Sequence, residues 1–332
     1  MRLIFLGIFY LAIIFCPGFG QKDKPEAGVG FADGHVHAGF AKKDGILATR
    51  FAYFQRQGVK TICLSLPLDS SRTADLQARI SGEIAALREL ANRERTFRLL
   101  PGDGGTPGPP GELDVFLSVE YFHGAFNGDA GLVNAYRDLG IRAVTLVDND
   151  RDPFFAGGAL TPFGKKVIAL MDESGLRIDV SHLDSAQKLA VIAAAKSPVL
   201  VSHTNARSVA DLDYNIPDEV LAALKNNRGS VLVSFNRNGV FAKNGGRSDG
   251  IAQLADHIDH FVEWLGVDHV GIGSDYQADG KYVAAPLNEP DAFAKIAREL
   301  AGRGYDAAAI HQIMSANVRS LFGAGKKAYN SE

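Results

Sequence analysis

The chain is poor in cysteine, with only Cys16 and Cys63 among its 332 residues. It also lacks an apolar run long enough to span a bilayer. The longest, Leu3 to Phe15, falls short of the roughly 20 residues that a span needs. Charge of neither sign prevails: 35 basic residues face 38 acidic ones, for a net charge of -3. That balance argues against nucleic acid or a strongly anionic surface as partner and leaves a small molecule. The first short run has the features of a targeting segment. Arg2 precedes it and Gly18-Phe19-Gly20 follows as a small-x-small cleavage site, so residues 1–20 are expected to be a signal peptide that exports the chain to the periplasm or the medium. Lipid anchoring at Cys16 is disfavoured by Phe15 immediately before it. The expected mature domain, 21–332, then holds Cys63 alone, and no internal disulfide can form in it. Cys63 lies in the apolar run VKTICLSLP, which suits a buried strand residue better than a nucleophile. The C-terminal KKAYNSE does not have the hydrophobic tail of a glycolipid-anchor signal.

Short apolar runs alternate with helical patterns along the expected domain. The runs fall at 29–37, 59–67, 114–122, 141–149, 176–182, 198–203, 230–236 and 269–275, and they are rich in Val, Ile and Leu. Unbroken runs of this kind are expected of strands covered on both faces. Segments 81–95, 160–175, 217–227 and 251–266 space their apolar residues by three and four, and Thr161-Pro162 and Pro217-Asp218 make good helix starts. Eight strands separated by helices predict a single (β/α)8 barrel of the TIM type. The Pro/Gly-rich PGDGGTPGPPGELD at 101–114 reads as a connection within that barrel.

The strand ends carry the chemistry. His35 and His37 end the first run, Glu120 the third, His182 the fifth, His203 the sixth and Asp275 the eighth. In this fold the C-terminal strand ends share one face, where active sites are built. Side chains alternate along a strand, so His35 and His37 point to the same side, about 6.5–7 Å apart along the chain, while Val36 points to the helices. Each residue also has a plainer reading. A lone His-x-His is more often structural, Glu120 could pair with Arg142, and Asp275 could cap a turn. All six arriving at one face by chance is the poorer explanation. Neutral imidazoles and carboxylates gathered at such density form a ligand set for zinc or a similar divalent ion. The remaining histidines fit this pattern less well. His257 and His260 sit in a helix on the outside, His269 is at the wrong end of its strand, and His311 is in a late helix. His123 follows Glu120 closely enough to be a candidate beside the site.

With those residues in place, the sequence resembles the membrane (renal) dipeptidases of the amidohydrolase superfamily. The resemblance runs from about Asp33 to Phe322. It is densest in GALTPFGKKVIALMDESGLRIDVSHLD, SPVLVSHTNAR, NIPDEVLAAL and DHIDHFVEWLGVDHVGIGSDY. It implies two zinc ions per chain, with other divalent ions possible, a small dipeptide or related amide as substrate, and in many members a homodimer. It also assigns roles. Glu120 would bridge the ions, His182 and His203 would hold one, and His35 and His37 the other. Asp275 would shuttle the proton of a bridging hydroxide that attacks the substrate.

Three positions depart from the family pattern. Residue 37 is His where the family has Asp, which removes one negative charge but keeps a ligand. Asp148 stands where a substrate-holding His is expected after the fourth strand, and Tyr214 replaces an Arg that grips the substrate carboxylate. Asp148, Tyr214, Arg207 and His123 are therefore the candidate substrate contacts, with Arg151 and Arg237 as possible replacements for the lost cation. The primary expectation is an exported binuclear metallohydrolase of amide or peptide bonds. The alternatives are a relative acting on a non-dipeptide amide or lactone, and a catalytically silent metal-binding relative.

Overall fold

The computed structural model describes residues 30–37, 44–67, 76–100, 112–120, 124–241, 249–277 and 282–323. The expected signal peptide, Cys16, His123 and most of the Pro/Gly-rich stretch lie outside the described residues.

Every one of the eight apolar runs contains a strand. In chain order the strands are β1 (Phe31–His37), β2 (Val59–Pro67), β3 (Phe97–Leu99), β4 (Leu113–Glu120), β5 (Ile141–Thr145), β6 (Phe155–Ala156), β7 (Ala159–Leu160), β8 (Arg177–Asp179), β9 (Leu200–Thr204), β10 (Ser230–Val233) and β11 (Val270–Ile272). Eight of them form one sheet in the order β1-β2-β4-β5-β8-β9-β10-β11, with parallel pairing throughout. A parallel bridge between Val36 and Tyr276 joins the two ends. There the His37 amide donates to the Tyr276 carbonyl (3.0 Å) and the Asp275 amide to that of His35 (2.9 Å). The result is a nearly closed (β/α)8 barrel. Two features go beyond the sequence expectation. Strand β3 adds to the sheet by pairing with β4. Strands β6 and β7 form a small antiparallel hairpin whose two-residue turn, Gly157-Gly158, has both φ angles positive, a geometry that suits glycine.

Helices follow the strands as the three-and-four spacing requires. Those at 76–94, 162–174, 218–227 and 250–265 match the four segments read from the sequence to within a few residues. Thr161 caps the second of these, its hydroxyl accepting from the Gly164 amide, with Pro162 in the first turn. Asp184 and Gln187 form a reciprocal capping box at the start of the helix 185–194. That cap fixes where the chain turns after β8, which is the turn that carries His182.

Two apolar layers position the site. The outer layer lies between strands and helices and includes Val36, Ile62, Val115, Val144, Ile178, Val201, Val231 and Ile272, all buried. The inner layer fills the barrel with Cys63, Phe116, Ala143, Leu200 and Leu232, and Val318, Leu321 and Phe322 plug it from below. Each buried side chain of this size contributes about 1.5–3 kcal/mol, so a domain with one cysteine needs no disulfide. Arg142 and Arg177 seal the plug by donating through Nε to the Phe322 carbonyl (2.7 Å) and the Leu321 carbonyl (2.9 Å). Arg142 is thereby committed to the end opposite Glu120. Burial pushes the Cys63 thiol up to about 12, which leaves it protonated and unreactive. Among the described residues the lower end is filled, and a cavity opens at the C-terminal end of the barrel.

Candidate metal centre

Four imidazole Nε2 atoms and two carboxylates meet at the open end. Glu120 ends β4 and lies buried at the centre. Its Oε1 is 2.9 Å from His182 Nε2 and 3.9 Å from His37 Nε2, and its Oε2 is 2.9 Å from His35 Nε2. His203 Nε2 lies 3.1 Å from His182 Nε2, and His35 Nε2 lies 3.3 Å from His37 Nε2. Asp275 completes the ring with Oδ1 at 3.2 Å from His37 Nε2. The set His35, Glu120 and His203 and the set His35, His37 and Asp275 each bring three ligating atoms within 4.8 Å of one another.

Asp275 reaches this position with a left-handed backbone, φ 56°, a conformation that Asp and Asn tolerate better than other non-glycine residues. Asn236, just beyond β10, donates through Nδ2 to Asp275 Oδ2 (3.0 Å) and fixes the carboxylate. Lys188 reaches back to the carbonyls of Ser181 (3.1 Å) and Leu183 and steadies the turn that bears His182.

Electrostatics divides the cluster. Burial would raise the Glu120 carboxyl, but the charge on His35 and the hydrogen bond with His182 hold it well below the usual range. Burial would lower His35, and Glu120 beside it raises it instead to about 9. Burial and the neighbouring charge on His35 push His203 down to about 3. At Asp275 burial is overcome by the hydrogen bond with His37 and by the charges of His203, His37 and His35, which bring the carboxyl to about 2. A proton on His35 is thus favoured and one on His203 is not, because the imidazoles lie too close together for both to be charged.

The donor set fits a divalent metal. Where two Nε2 atoms face each other at 3.1–3.3 Å, at most one can carry a proton in a hydrogen bond, and otherwise their lone pairs oppose. Glu120 Oε2 is buried without an aligned hydrogen bond, although His35 Nε2 is 2.9 Å away. An ion among these atoms would satisfy all of them, and mixed imidazole and carboxylate ligands suit zinc and its neighbours.

A cavity of about 330 Å³ opens onto the cluster, large enough for a small amide. Its wall includes His37, Glu120, His182, His203 and Asp275, together with Asn205, Tyr214, Asn236 and Tyr282. A larger surface groove of about 1220 Å³ lies among the helices 162–174, 185–194 and 218–227. It holds none of the imidazoles.

The expected substrate contacts are not gathered together. Tyr214 stands at the rim and is 78% exposed. Asp148 does not line the cavity: Oδ1 accepts from the Phe155 amide (3.1 Å) and Oδ2 from Gln187 Nε2 (3.2 Å), which ties the loop after β5 to its neighbours. Arg207 donates to the carbonyls of Leu212 (3.3 Å) and Asp213 (3.1 Å) and braces its own loop. Arg151 and Arg237 are exposed and are not among the residues of the wall. His257 is buried between the Ala206 amide and the Val240 carbonyl, 3.0 Å from each, and His260 pairs with Asp218 at 2.8 Å. Both hold loops and helices together, as their place on an outer helix suggests.

Other polar residues behind the site escaped the sequence reading: Asp179, Ser181, Ser202 and Asn236. A signal was present, because Ser-His occurs twice, at 181–182 and 202–203, and Asp179 interrupts an apolar strand run.

Comparison with known proteins bears on the family and the fold. A family model described as membrane dipeptidase (peptidase family M19) matches residues 106–331. The chain is 32% identical over 219 residues to dipeptidase verJ of Clonostachys rogersoniana, covering 63% of this chain and 54% of that protein. It is 28% identical over 227 residues to dipeptidase 3 of Mus musculus, covering 64% and 44%. The chain therefore spans about half the length of the curated relatives it matches. Among solved structures, one described as dipeptidase AC, a metallopeptidase of family M19, superposes with a TM-score of 0.74 at 20% identity, covering 89% of this chain and 99% of that one. At that identity the likeness concerns the fold.

Proposed function

Since the chain belongs to the membrane dipeptidase family, peptidase family M19, we propose that it is a metal-dependent hydrolase of amide or peptide bonds and that its reaction takes place at the Glu120 cluster. One observation carries the reading: four Nε2 atoms from three different strand ends converge on one buried carboxylate. His35 and His37 on one side, and His182 and His203 on the other, would hold two zinc ions or similar divalent ions, with Glu120 between them. Such ions polarise a scissile carbonyl and lower the pKa of water towards about 7.

The chain's own residues supply the rest. Asp275 is ionised throughout the neutral range and faces the cavity, so it can take a proton from the attacking water and return it to the leaving amine. Asn236 keeps that carboxylate aimed by holding its other oxygen. His37 and His182 are about a quarter exposed, so the substrate reaches the cluster from their side. On this reading residues 1–20 direct export and residues 21–332 form one domain, whose copies pair as the resemblance implies for many members of the family. Among the described residues no helix is long and apolar enough to cross a membrane.

The expected result is at least about one tightly held divalent ion per chain after zinc loading, with hydrolysis abolished by a chelator and restored by zinc. Less than that, measured by elemental analysis, would remove the metal reading altogether.

A second reading concerns the substrate. Among the described residues of the cavity wall none is lysine or arginine, so none of these offers a free carboxylate a guanidinium to grip it. This favours an amide without a free C-terminal carboxylate, or a lactone, over an ordinary dipeptide. A panel of dipeptides, C-terminally blocked amides, N-acyl amino acids and lactones separates the two readings. On this reading the blocked amides have the higher kcat/KM, and efficient turnover of free dipeptides would exclude it.

A further inference from the structure

Behind the metal-site imidazoles lies a single hydroxyl in contact with two of them. Ser202 Oγ is 2.9 Å from His203 Nδ1 and 3.2 Å from His35 Nδ1, and it donates to Asp179 Oδ2 at 2.6 Å. Asp179 is 1% exposed. Its Oδ2 also accepts from Thr145 Oγ1 (2.6 Å), and its Oδ1 accepts from Ser181 Oγ (2.6 Å) and from the amides of Ser181 and Ser202 (3.1 Å each).

Counting protons fixes the direction of these bonds. An ionised carboxylate only accepts, and a serine hydroxyl has one hydrogen and two lone pairs. The shortest contact of Ser202 is the one to the carboxylate, as expected of a charge-assisted bond. Its hydrogen therefore goes to Asp179, and its two lone pairs are left to accept from the two imidazoles. The hydroxyl of Ser181 does not compete, because its hydrogen lies on Asp179 Oδ1 and its oxygen accepts from the Ser202 amide at 2.8 Å. Both His35 and His203 then carry a proton on Nδ1, which leaves Nε2 of each as the position for metal; without metal, the Nε2 of His35 also holds a proton towards Glu120. The strand cannot shift easily, since a Cβ at Gly273 would come within 1.9 Å of the Ser202 carbonyl oxygen.

We propose that Ser202, anchored by Asp179, sets the tautomers of His35 and His203 together and so presents two Nε2 lone pairs for metal at once. Both are positioning residues, and the proposal rests on reading the cluster as a metal centre. One hydroxyl serves two rings because β1 and β9 meet across the barrel, which places Ser202 and His35 167 residues apart in sequence yet in contact.

Two-bond proton–nitrogen spectra of the full chain test this directly. In the zinc-loaded protein both rings should carry a proton on Nδ1, and His203 should show the same without metal. A proton on Nε2 of His203 in the metal-free protein would overturn the proposal, whether or not zinc binds. Failure of the unaltered chain to bind zinc would count instead against the metal centre.

Variants give a second readout. Ser202→Ala should weaken zinc binding about 10–100-fold, as loss of a ligand's outer partner does, whereas Ser202→Thr keeps the hydroxyl and should bind within about twofold of the unaltered protein. Asp179→Asn is more telling. Two backbone amides occupy the Oδ1 side, so the new NH2 must face Ser202 and Thr145. Ser202 would then accept from it and turn its hydrogen onto an imidazole. One of the two rings should lose its proton from Nδ1 and carry it on Nε2 alone, with zinc binding weakened to a similar degree. Ser202→Ala binding zinc within about twofold of the unaltered chain, or Asp179→Asn leaving both rings protonated on Nδ1, would overturn the proposal.

Discussion

Replacing Asp275 by Asn is expected to lower kcat for amide hydrolysis by about 10²–10⁴-fold, the usual contribution of a positioned general base, while metal content stays unchanged. Asn is the right substitute because the position has φ 56°, which Asn tolerates as Asp does. The carboxamide can still accept from Asn236 Nδ2 through its oxygen, so the bond now seen at 3.0 Å can be kept. What disappears is the ability to take a proton from water. Asp275→Ala should lose as much activity and also stability, about 1–2 kcal/mol for alanine in the left-handed region. Steady-state kinetics combined with elemental analysis reads both effects. Unchanged kcat in a fully metallated Asp275→Asn protein would exclude Asp275 as the proton carrier. A loss of bound metal would make it a ligand beside His35 and His37.

Replacing Glu120 by Gln should be more damaging, because it removes the one negative charge at the centre of four imidazoles. Deleting one partner of a buried ion pair costs about 3–5 kcal/mol, and the expected loss of zinc affinity is of that size, with activity falling as occupancy falls. The metal-free protein provides an independent test through pH. His35 is raised from 6.5 to about 9 by Glu120, so the pair stabilises the fold fully below pH 6.5. That contribution, about 3 kcal/mol by linkage, fades as pH rises through 9. Urea unfolding of chelator-treated protein should accordingly show stability declining between about pH 6.5 and 9, and the decline should be absent in Glu120→Gln. A variant that binds zinc as tightly as the unaltered chain would show that the centre is not built around Glu120.

Much of this molecule was legible in its sequence. Strands buried on both faces need unbroken apolar runs, and the eight runs each produced one. Helix starts were visible in Thr161-Pro162 and Pro217-Asp218 because such signals are a local matter of a few residues. His35 and His37 had to share a side because strand side chains alternate, and a barrel gathers its strand ends whatever the loops do. Strand β3 and the β6–β7 hairpin were missed, since two or three residues carry no periodicity.

Sequence alone therefore determined the barrel and the six residues at its mouth, since repeating patterns and strand ends express both. Only the tertiary structure decided how those residues relate and which others serve them. Asp148 was a candidate for the substrate until the chain around it supplied two closer donors, and Arg207 turned to the carbonyls of its own loop. Ser202 became the neighbour of His35 only through closure of the sheet across 167 residues. The physical reason is one of range. Periodicity and capping act over a few residues, whereas the partner that a polar side chain finally takes depends on competition among groups that meet only when the barrel closes.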